Sequence, residues 1–391
     1  MAQDDAGAAM NVARAYLADG RLGAGLARVE DEVARLLDRF ERAGAVRIDP
    51  GALLDAEVLL DLYGEDIRGR AYTIHDPVDG ERMLRPDFTV PVVQMHGQSA
   101  IRPARYAYAG PVWRRQEPGS DRPTEYLQVG YELFDDGDPA AADAEVFALF
   151  ADALAGQELA VATGDLGVVQ ALVEGLETSA ARKAALLRHV WRPRRFRRLL
   201  DRYSTAQEPS ARRDALLRAA ARGEAALAAH VADEGPVAGL RRIGEITARA
   251  AVLKEELETP PLSPADVARI DAVLELRGSY AHALRVLEGL TREAEGLDDV
   301  VERMARRGAA LAAAGITLDT LPFEASFART RMEYYDGFVF GFFDPARSDL
   351  PQCATGGRYD ALTRALSGAD GLPAVGGIVR PEVLLARGAG Q

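Results

Sequence analysis

The chain has 391 residues, 48% of them apolar, and a formal net charge of −13 with one cysteine and five histidines. That length supports a sizeable core and two or three structural units, while the acidic balance argues against a general polyanion-binding surface. One cysteine excludes an internal disulfide, no Cys/His cluster has metal-ligand spacing, and with Asp4 and Asp5 near the start and no uncharged span of membrane length, a cytoplasmic protein without metal or other cofactor is expected.

Leu22, Leu26, Val29, Val33, Leu36, Leu37 and Phe40 recur at three- and four-residue steps, which predicts a helix face ended by Gly44. Val46 to Ile48 predicts a short strand stopped at Pro50. Tyr72 to Ile74 and Met83 to Arg85 are joined through Pro77-Val78-Asp79-Gly80, and Asp-Gly is a hairpin signal. Strands over Ala104–Arg114 and Glu125–Phe134 flank a polar loop. From about Leu166 to Gly315, Ala, Leu, Arg and Glu at helical spacing predict a mostly helical insert. Strand character returns at Pro322–Thr330 and Tyr334–Phe343, and a Gly356-Gly357 turn precedes a predicted helix over Ala361–Leu366. These elements give an α+β chain: residues 1–165 and 316–391 form two parts of one antiparallel-sheet core, with the insert at 166–315 between them.

The strand Glu125–Leu133 is the most informative segment. Its period of two places Leu127, Val129, Tyr131 and Leu133 on one face and Gln128, Gly130 and Glu132 on the other. Gly130 leaves room for a ligand to lie against the backbone, so this face suits an amine or imidazole group. The same pattern also fits an ordinary solvent-facing strand side. Arg114 and Arg122 bracket that face with fork geometry that fits carboxylates and phosphates; Arg115 reads as a solvated neighbour. Thr355-Gly356-Gly357-Arg358-Tyr359-Asp360 lacks both P-loop and dinucleotide spacing. The run Arg192-Pro193-Arg194-Arg195-Phe196-Arg197-Arg198 invites a tRNA reading, yet in an acidic chain a solvated face or a protein contact is the expectation. His96 reads as structural, Cys353 as packing, and Phe338, Phe340 and Phe342 as sheet core.

Five segments in order resemble the class II synthetase core of the histidyl-tRNA-synthetase family. They are Leu84-Arg85-Pro86-Asp87-Phe88-Thr89, Tyr108-Ala109-Gly110-Pro111-Val112-Trp113-Arg114, Tyr126-Leu127-Gln128-Val129-Gly130-Tyr131-Glu132, Glu333-Tyr334-Tyr335-Asp336-Gly337 and Gly356-Gly357-Arg358-Tyr359-Asp360. The resemblance spans about Leu22 to Leu385 and implies an antiparallel sheet flanked by helices. It also implies self-association through a helix-strand-proline motif at 22–50, and a pocket for histidine formed by Asp87, Thr89, Arg114, Gln128, Glu132, Tyr334 and Tyr335, with Arg122 beside it.

The departures from that pattern are equally specific. Where the family carries Arg-x-Glu against ATP, this chain has Arg114-Arg115-Gln116. The arginine expected beside the reacting carboxylate falls on Thr330, and the one expected to hold the phosphates falls on Val383, unless a gap shifts Arg329, Arg331 or Arg380 into those places. Losing two or three charge-assisted hydrogen bonds would cost about 3 to 9 kcal/mol of transition-state stabilisation. Asp87 is one methylene shorter than the glutamate usual in the active enzymes. No sequence follows Pro381 to build the anticodon-binding domain of such synthetases. The combination resembles the synthetase-like regulatory subunits of ATP phosphoribosyltransferase, which pair with a short catalytic subunit and help pass on histidine feedback; this implies no catalysis by the chain and no tRNA partner. Two other readings stay open at this point: a histidyl-adenylate-forming ligase with a non-tRNA acceptor, and an interaction scaffold with a vestigial pocket.

Overall fold

The computed structural model describes residues 23–387, apart from 64, 100, 118, 121, 207–209, 234–241, 293, 295, 328, 330–333 and 368–370. The apolar stripe that starts at Leu22, itself outside that set, forms the helix Gly23–Arg42 and buries Val29, Leu36, Leu37 and Phe40. Gly44, with φ +90°, turns the chain out of the helix, in a backbone region where a side chain would be strained. Then come β1 (Val46–Arg47), β2 (Leu53–Asp55), β3 (Thr73–Asp76), β4 (Gly80–Leu84), β5 (Ala104–Trp113) and β6 (Glu125–Phe134). The second half of the chain adds β7 (Ala160–Asp165), β8 (Arg277–Ser279), β9 (Pro322–Glu324), β10 (Phe338–Phe343), β11 (Ala354–Arg358) and β12 (Ala374–Val379).

Among the described residues nine strands form one sheet in the order β1-β5-β6-β12-β11-β10-β7-β9-β8, and β2-β4-β3 form a small second sheet. Neighbours in the large sheet are antiparallel except β1 with β5 and β7 with β9. The hairpin expected around Asp79-Gly80 is β3 and β4, paired from Asp76 opposite Gly80. Period two along β6 sorts the core onto the two sheet faces. Tyr131 and Leu133 join Phe40, Phe147, Phe150, Phe338, Phe340 and Phe342 on one side, against the helix Pro139–Ala153. Tyr108, Phe134, Val339, Tyr359 and Ile378 share the opposite side with Phe88 and the helix Thr89–His96.

Two strand expectations are corrected. Pro322–Thr330 is a strand only to Glu324, and Thr330 lies outside the described residues. The segment predicted from Tyr334 begins its strand at Phe338, because the Asp336 carboxylate is engaged elsewhere, accepting the backbone N–H groups of Asp360 (3.0 Å) and Ala361 (2.7 Å) at the start of the helix Asp360–Ser367. The Gly356-Gly357 pair is no turn either. Both lie within β11, opposite Gly377 and Gly376 of β12, and a Cβ on Gly356 would lie 2.3 Å from the Phe340 ring and 2.6 Å from the Gly376 carbonyl. Close packing, rather than chain reversal, is what requires glycine there.

Among the described residues of 166–315, the regular elements are helices apart from β8. Leu172, Tyr280, Leu287, Met304 and Leu311 of this stretch belong to the same apolar cluster as the sheet. Arg307, fully buried on the helix Asp298–Ala313, donates from Nε to Asp143 Oδ2 (2.9 Å) and from Nη1 to Asp165 Oδ2 (2.8 Å). From the sheet side, Arg358 Nε donates to Asp143 Oδ1 (2.8 Å). Among the described residues no helix is long and apolar enough to cross a membrane.

Candidate functional site

All eight residues expected to form the pocket line a cavity of about 790 Å³ on the Glu132 side of the sheet. β6 supplies Gln128 and Glu132; the start of the helix Thr89–His96 and the turn before it supply Thr89 and Asp87; Tyr334 and Tyr335 close it from the segment before β10. Arg114 and Arg122 line the same cavity, as do Arg70, Arg115, Gln116 and Arg380. Arg115 is exposed, as a solvated residue would be, yet borders the cavity too.

The floor differs from its expected form at Gly130. A Cβ there would fall 2.2 Å from Tyr108, the residue directly opposite on β5. The space beside Gly130 is therefore filled by the Tyr108 ring and is not left for a ligand. Tyr108 hydroxyl donates to Glu132 Oε1 (2.8 Å), and Tyr359 hydroxyl donates to Glu132 Oε2 (2.6 Å). Room for that carboxylate comes from Gly376 on β12, where a Cβ would lie 1.6 Å from Glu132 Oε2. Gly376→Ala is accordingly expected to displace Glu132 and to destabilise the fold by about 1–3 kcal/mol through overpacking; a lower urea midpoint together with weaker ligand binding in calorimetry checks this.

Burial dominates the electrostatics. It pushes the Glu132 carboxyl up to about 8, although the hydroxyls of Tyr359 and Tyr108 pull it down. Burial also raises Asp87, against the pull of Arg114 and of the Val90 and Thr89 backbone N–H groups. The Asp87 and Arg114 side chains approach to 4.0 Å, while Arg114 Nε donates to the Pro86 carbonyl (2.7 Å). Burial is also the main cause that raises both Tyr334 and Tyr335. Two acceptors, Asp87 Oδ1 and Gln128 Oε1, are buried without a hydrogen-bond partner. Such orphans are costly in a protein interior, at about 1–3 kcal/mol each, and both belong to residues of the same cavity, which suits a ligand that brings donors.

At the positions where ATP chemistry is expected to fail, the picture is mixed. Gln116 borders the cavity, but its amide is turned to backbone, donating to the Pro123 carbonyl (3.1 Å). Val383 also lines it, three residues beyond Arg380, which directly follows β12 and borders the same cavity. The loss inferred at Val383 therefore does not leave that wall without an arginine. Arg329 is held elsewhere, with Nε donating to the Val190 carbonyl (2.7 Å); Thr330, Arg331 and Glu333 lie outside the described residues. Sequence reasoning missed the Glu132 clamp, although Tyr108 facing a glycine across a strand pair was its available signal. It also missed Gly25, Arg28 and Val29, which bring the first described helix to the cavity rim.

Among the described residues no group of three or more His, Cys, Asp or Glu is placed to hold a metal ion. His96 stacks on Phe134 at 4.1 Å, with Nδ1 3.1 Å from the Tyr106 hydroxyl; Cys353 is buried and free.

The family model described as histidyl-tRNA synthetase matches residues 20–255 and 249–384. ATP phosphoribosyltransferase regulatory subunits of Sinorhizobium medicae and of Rhizobium etli strain CIAT 652 are each 33% identical to the chain, over 87% and 88% of its length and 93% of their own. Among solved structures, an ATP phosphoribosyltransferase regulatory subunit/histidyl-tRNA synthetase from Bacillus halodurans matches with a TM-score of 0.64 at 24% identity, over 94% of this chain and 81% of that one. A histidine–tRNA ligase subunit from Alicyclobacillus acidocaldarius matches with a TM-score of 0.58 at 22% identity, over 95% and 96%. The architecture is thus the class II synthetase-like sheet with flanking helices.

Proposed function

Because the chain belongs to the family of ATP phosphoribosyltransferase regulatory subunits, we infer that it is a regulatory subunit acting in the first step of histidine biosynthesis, completing a short-form catalytic subunit. The finer reading is that the cavity binds histidine and that the chain itself performs no chemistry. The observation that carries it is the convergence of Asp87, Thr89, Gln128, Glu132, Tyr334 and Tyr335 on one cavity, with two buried acceptors there left unpaired. An α-ammonium and an imidazole N–H are donors of the kind those acceptors lack, and the Arg114 fork fits an α-carboxylate. The amide at Gln116 supports the non-catalytic half, since it supplies no carboxylate on the adenylate side. Self-association through residues 22–50 fits the same reading: β1 lies at the edge of the large sheet and leaves Val46 63% exposed, and strand edges are ready pairing surfaces.

Mixing the purified chain with a short-form catalytic subunit is expected to give co-elution and a rise in phosphoribosyltransferase activity that histidine suppresses. Failure of both co-elution and activation would sink the regulatory reading. Histidine-dependent exchange of pyrophosphate into ATP is expected to be absent; its presence would favour the ligase. Calorimetry that shows no histidine uptake by either the free chain or the complex would leave only the scaffold.

A further inference from the structure

We propose that the exposed arginine face of the helix Pro193–Tyr203, with the turn before it, is a docking surface for an acidic patch on a protein partner. The partner is the catalytic subunit inferred above, so the proposal rests on that reading.

The helix separates its residues sharply. Phe196, Leu200 and Tyr203 are buried at four- and three-residue steps, which anchors one side in the insert. Arg197 is paired with Asp201 and Asp271, and Arg202 with Glu256, so those two cations are balanced within the chain. Arg188, Arg194, Arg195 and Arg198 are exposed, and among the described residues none of the four has a carboxylate partner. Arg194 and Arg198 stand one helical turn apart, where like charges repel. Burial lowers His189, and the charges of Arg195, Arg192 and Arg188 lower it further. A chain with net charge −13 that concentrates cations on one face at a cost in self-repulsion presents a surface made for an opposite charge from outside.

An acidic protein face fits better than nucleic acid. The overall negative charge opposes the approach of a long polyanion, and the helix offers no exposed ring on which a base could stack, since Phe196 and Tyr203 are buried. Its placement also ties it to the cavity. Trp191 Nε1 donates to the Tyr335 carbonyl (3.1 Å), Arg329 Nε donates to the Val190 carbonyl (2.7 Å), and the Arg329 guanidinium lies 4.8 Å from the Phe196 ring centre. A partner seated here bears on the segment that carries Tyr334 and Tyr335, and any effect of docking on the cavity is matched by an equal effect of ligand on docking.

The test compares two full-length double variants with the same change in net charge, Arg194→Glu/Arg198→Glu on the helix and Arg285→Glu/Arg292→Glu elsewhere on the exposed surface, each shown to melt like wild type. Affinity for the short-form catalytic subunit is measured by calorimetry at low and high ionic strength. The helix variant is expected to lose at least about tenfold in affinity and most of the salt dependence, whereas the second variant behaves like wild type. Equal behaviour of the two variants, or wild-type binding insensitive to salt, overturns the proposal while leaving the regulatory reading intact. Salt-sensitive tRNA binding that only the helix variant loses, with catalytic-subunit binding unchanged, overturns it in favour of a nucleic-acid surface. If wild type does not bind the catalytic subunit at all, the regulatory reading falls and the docking proposal with it.

Discussion

Glutamine in place of Glu132 is expected to weaken histidine binding at least about tenfold, the equivalent of one lost charge-assisted hydrogen bond, and at the same time to remove a pH dependence of stability. Burial holds the Glu132 proton in the folded chain until about pH 8, whereas the unfolded chain releases it near 4.5. Between those values the native state binds the additional proton. The stability this contributes is therefore fully present below about 4.5, falls as pH rises through the window, and is lost above about 8. Glutamine keeps the size of the side chain and one of the two acceptors that Tyr108 and Tyr359 use, without the ionisable group, so the variant's melting temperature should not follow this slope and should match or exceed wild type at alkaline pH. A ligand whose imidazole meets the ionised carboxylate should also release a proton on binding near neutrality, visible as a calorimetric enthalpy that varies with buffer. Unchanged histidine affinity in the variant would exclude Glu132 from ligand recognition.

Arg307→Leu is expected to cost about 3–5 kcal/mol of folding stability, the penalty typical of removing one partner from a buried ion pair. Arg307, Asp143 and Asp165 are all fully buried, and the guanidinium also lies 4.5 Å from the Phe338 ring centre. Leucine would leave Asp165 with the Gly167 N–H (2.8 Å) and Asp143 with Arg358 alone. Lysine should restore only part of the loss, because a point charge cannot hold two carboxylates with the geometry of the fork. Urea denaturation of the two variants measures this directly. A leucine variant within 1 kcal/mol of wild type, on the scale of ordinary surface substitutions, would show that the cluster does not join the helical stretch to the sheet.

The local parts of the fold were legible where periodicity and turn chemistry act alone: the 23–42 helix from its apolar stripe, the β3–β4 hairpin from Asp79-Gly80, and β6 residue for residue from its alternation. β11 and β12 were hidden because Gly356, Gly357, Gly376 and Gly377 have poor strand propensity, and the first pair read locally as a turn; only the neighbours that press against them explain their presence. The Asp143, Asp165 and Arg307 cluster was invisible for another reason. Its members lie 142 and 164 residues from Arg307 along the chain, and no local pattern reports a contact at that separation. For the cavity, the resemblance gathered residues from four segments that spacing alone could not connect. Arg380 and Val383 border the cavity together, a proximity that an ungapped comparison of sequences does not report.

The glycines beneath Glu132 set a limit on how this cavity can be altered. The packing beneath the floor has no spare room: a methyl group added at position 130, 357 or 376 lands within 2.8 Å of an atom already there. It therefore offers no gradual route to a tighter or shallower cavity, since even the smallest enlargement is a collision. Fitting the cavity to a ligand of another size has to proceed through the walls, at Asp87, Gln128 and Tyr334, with the floor as the constant template against which each new wall is fitted.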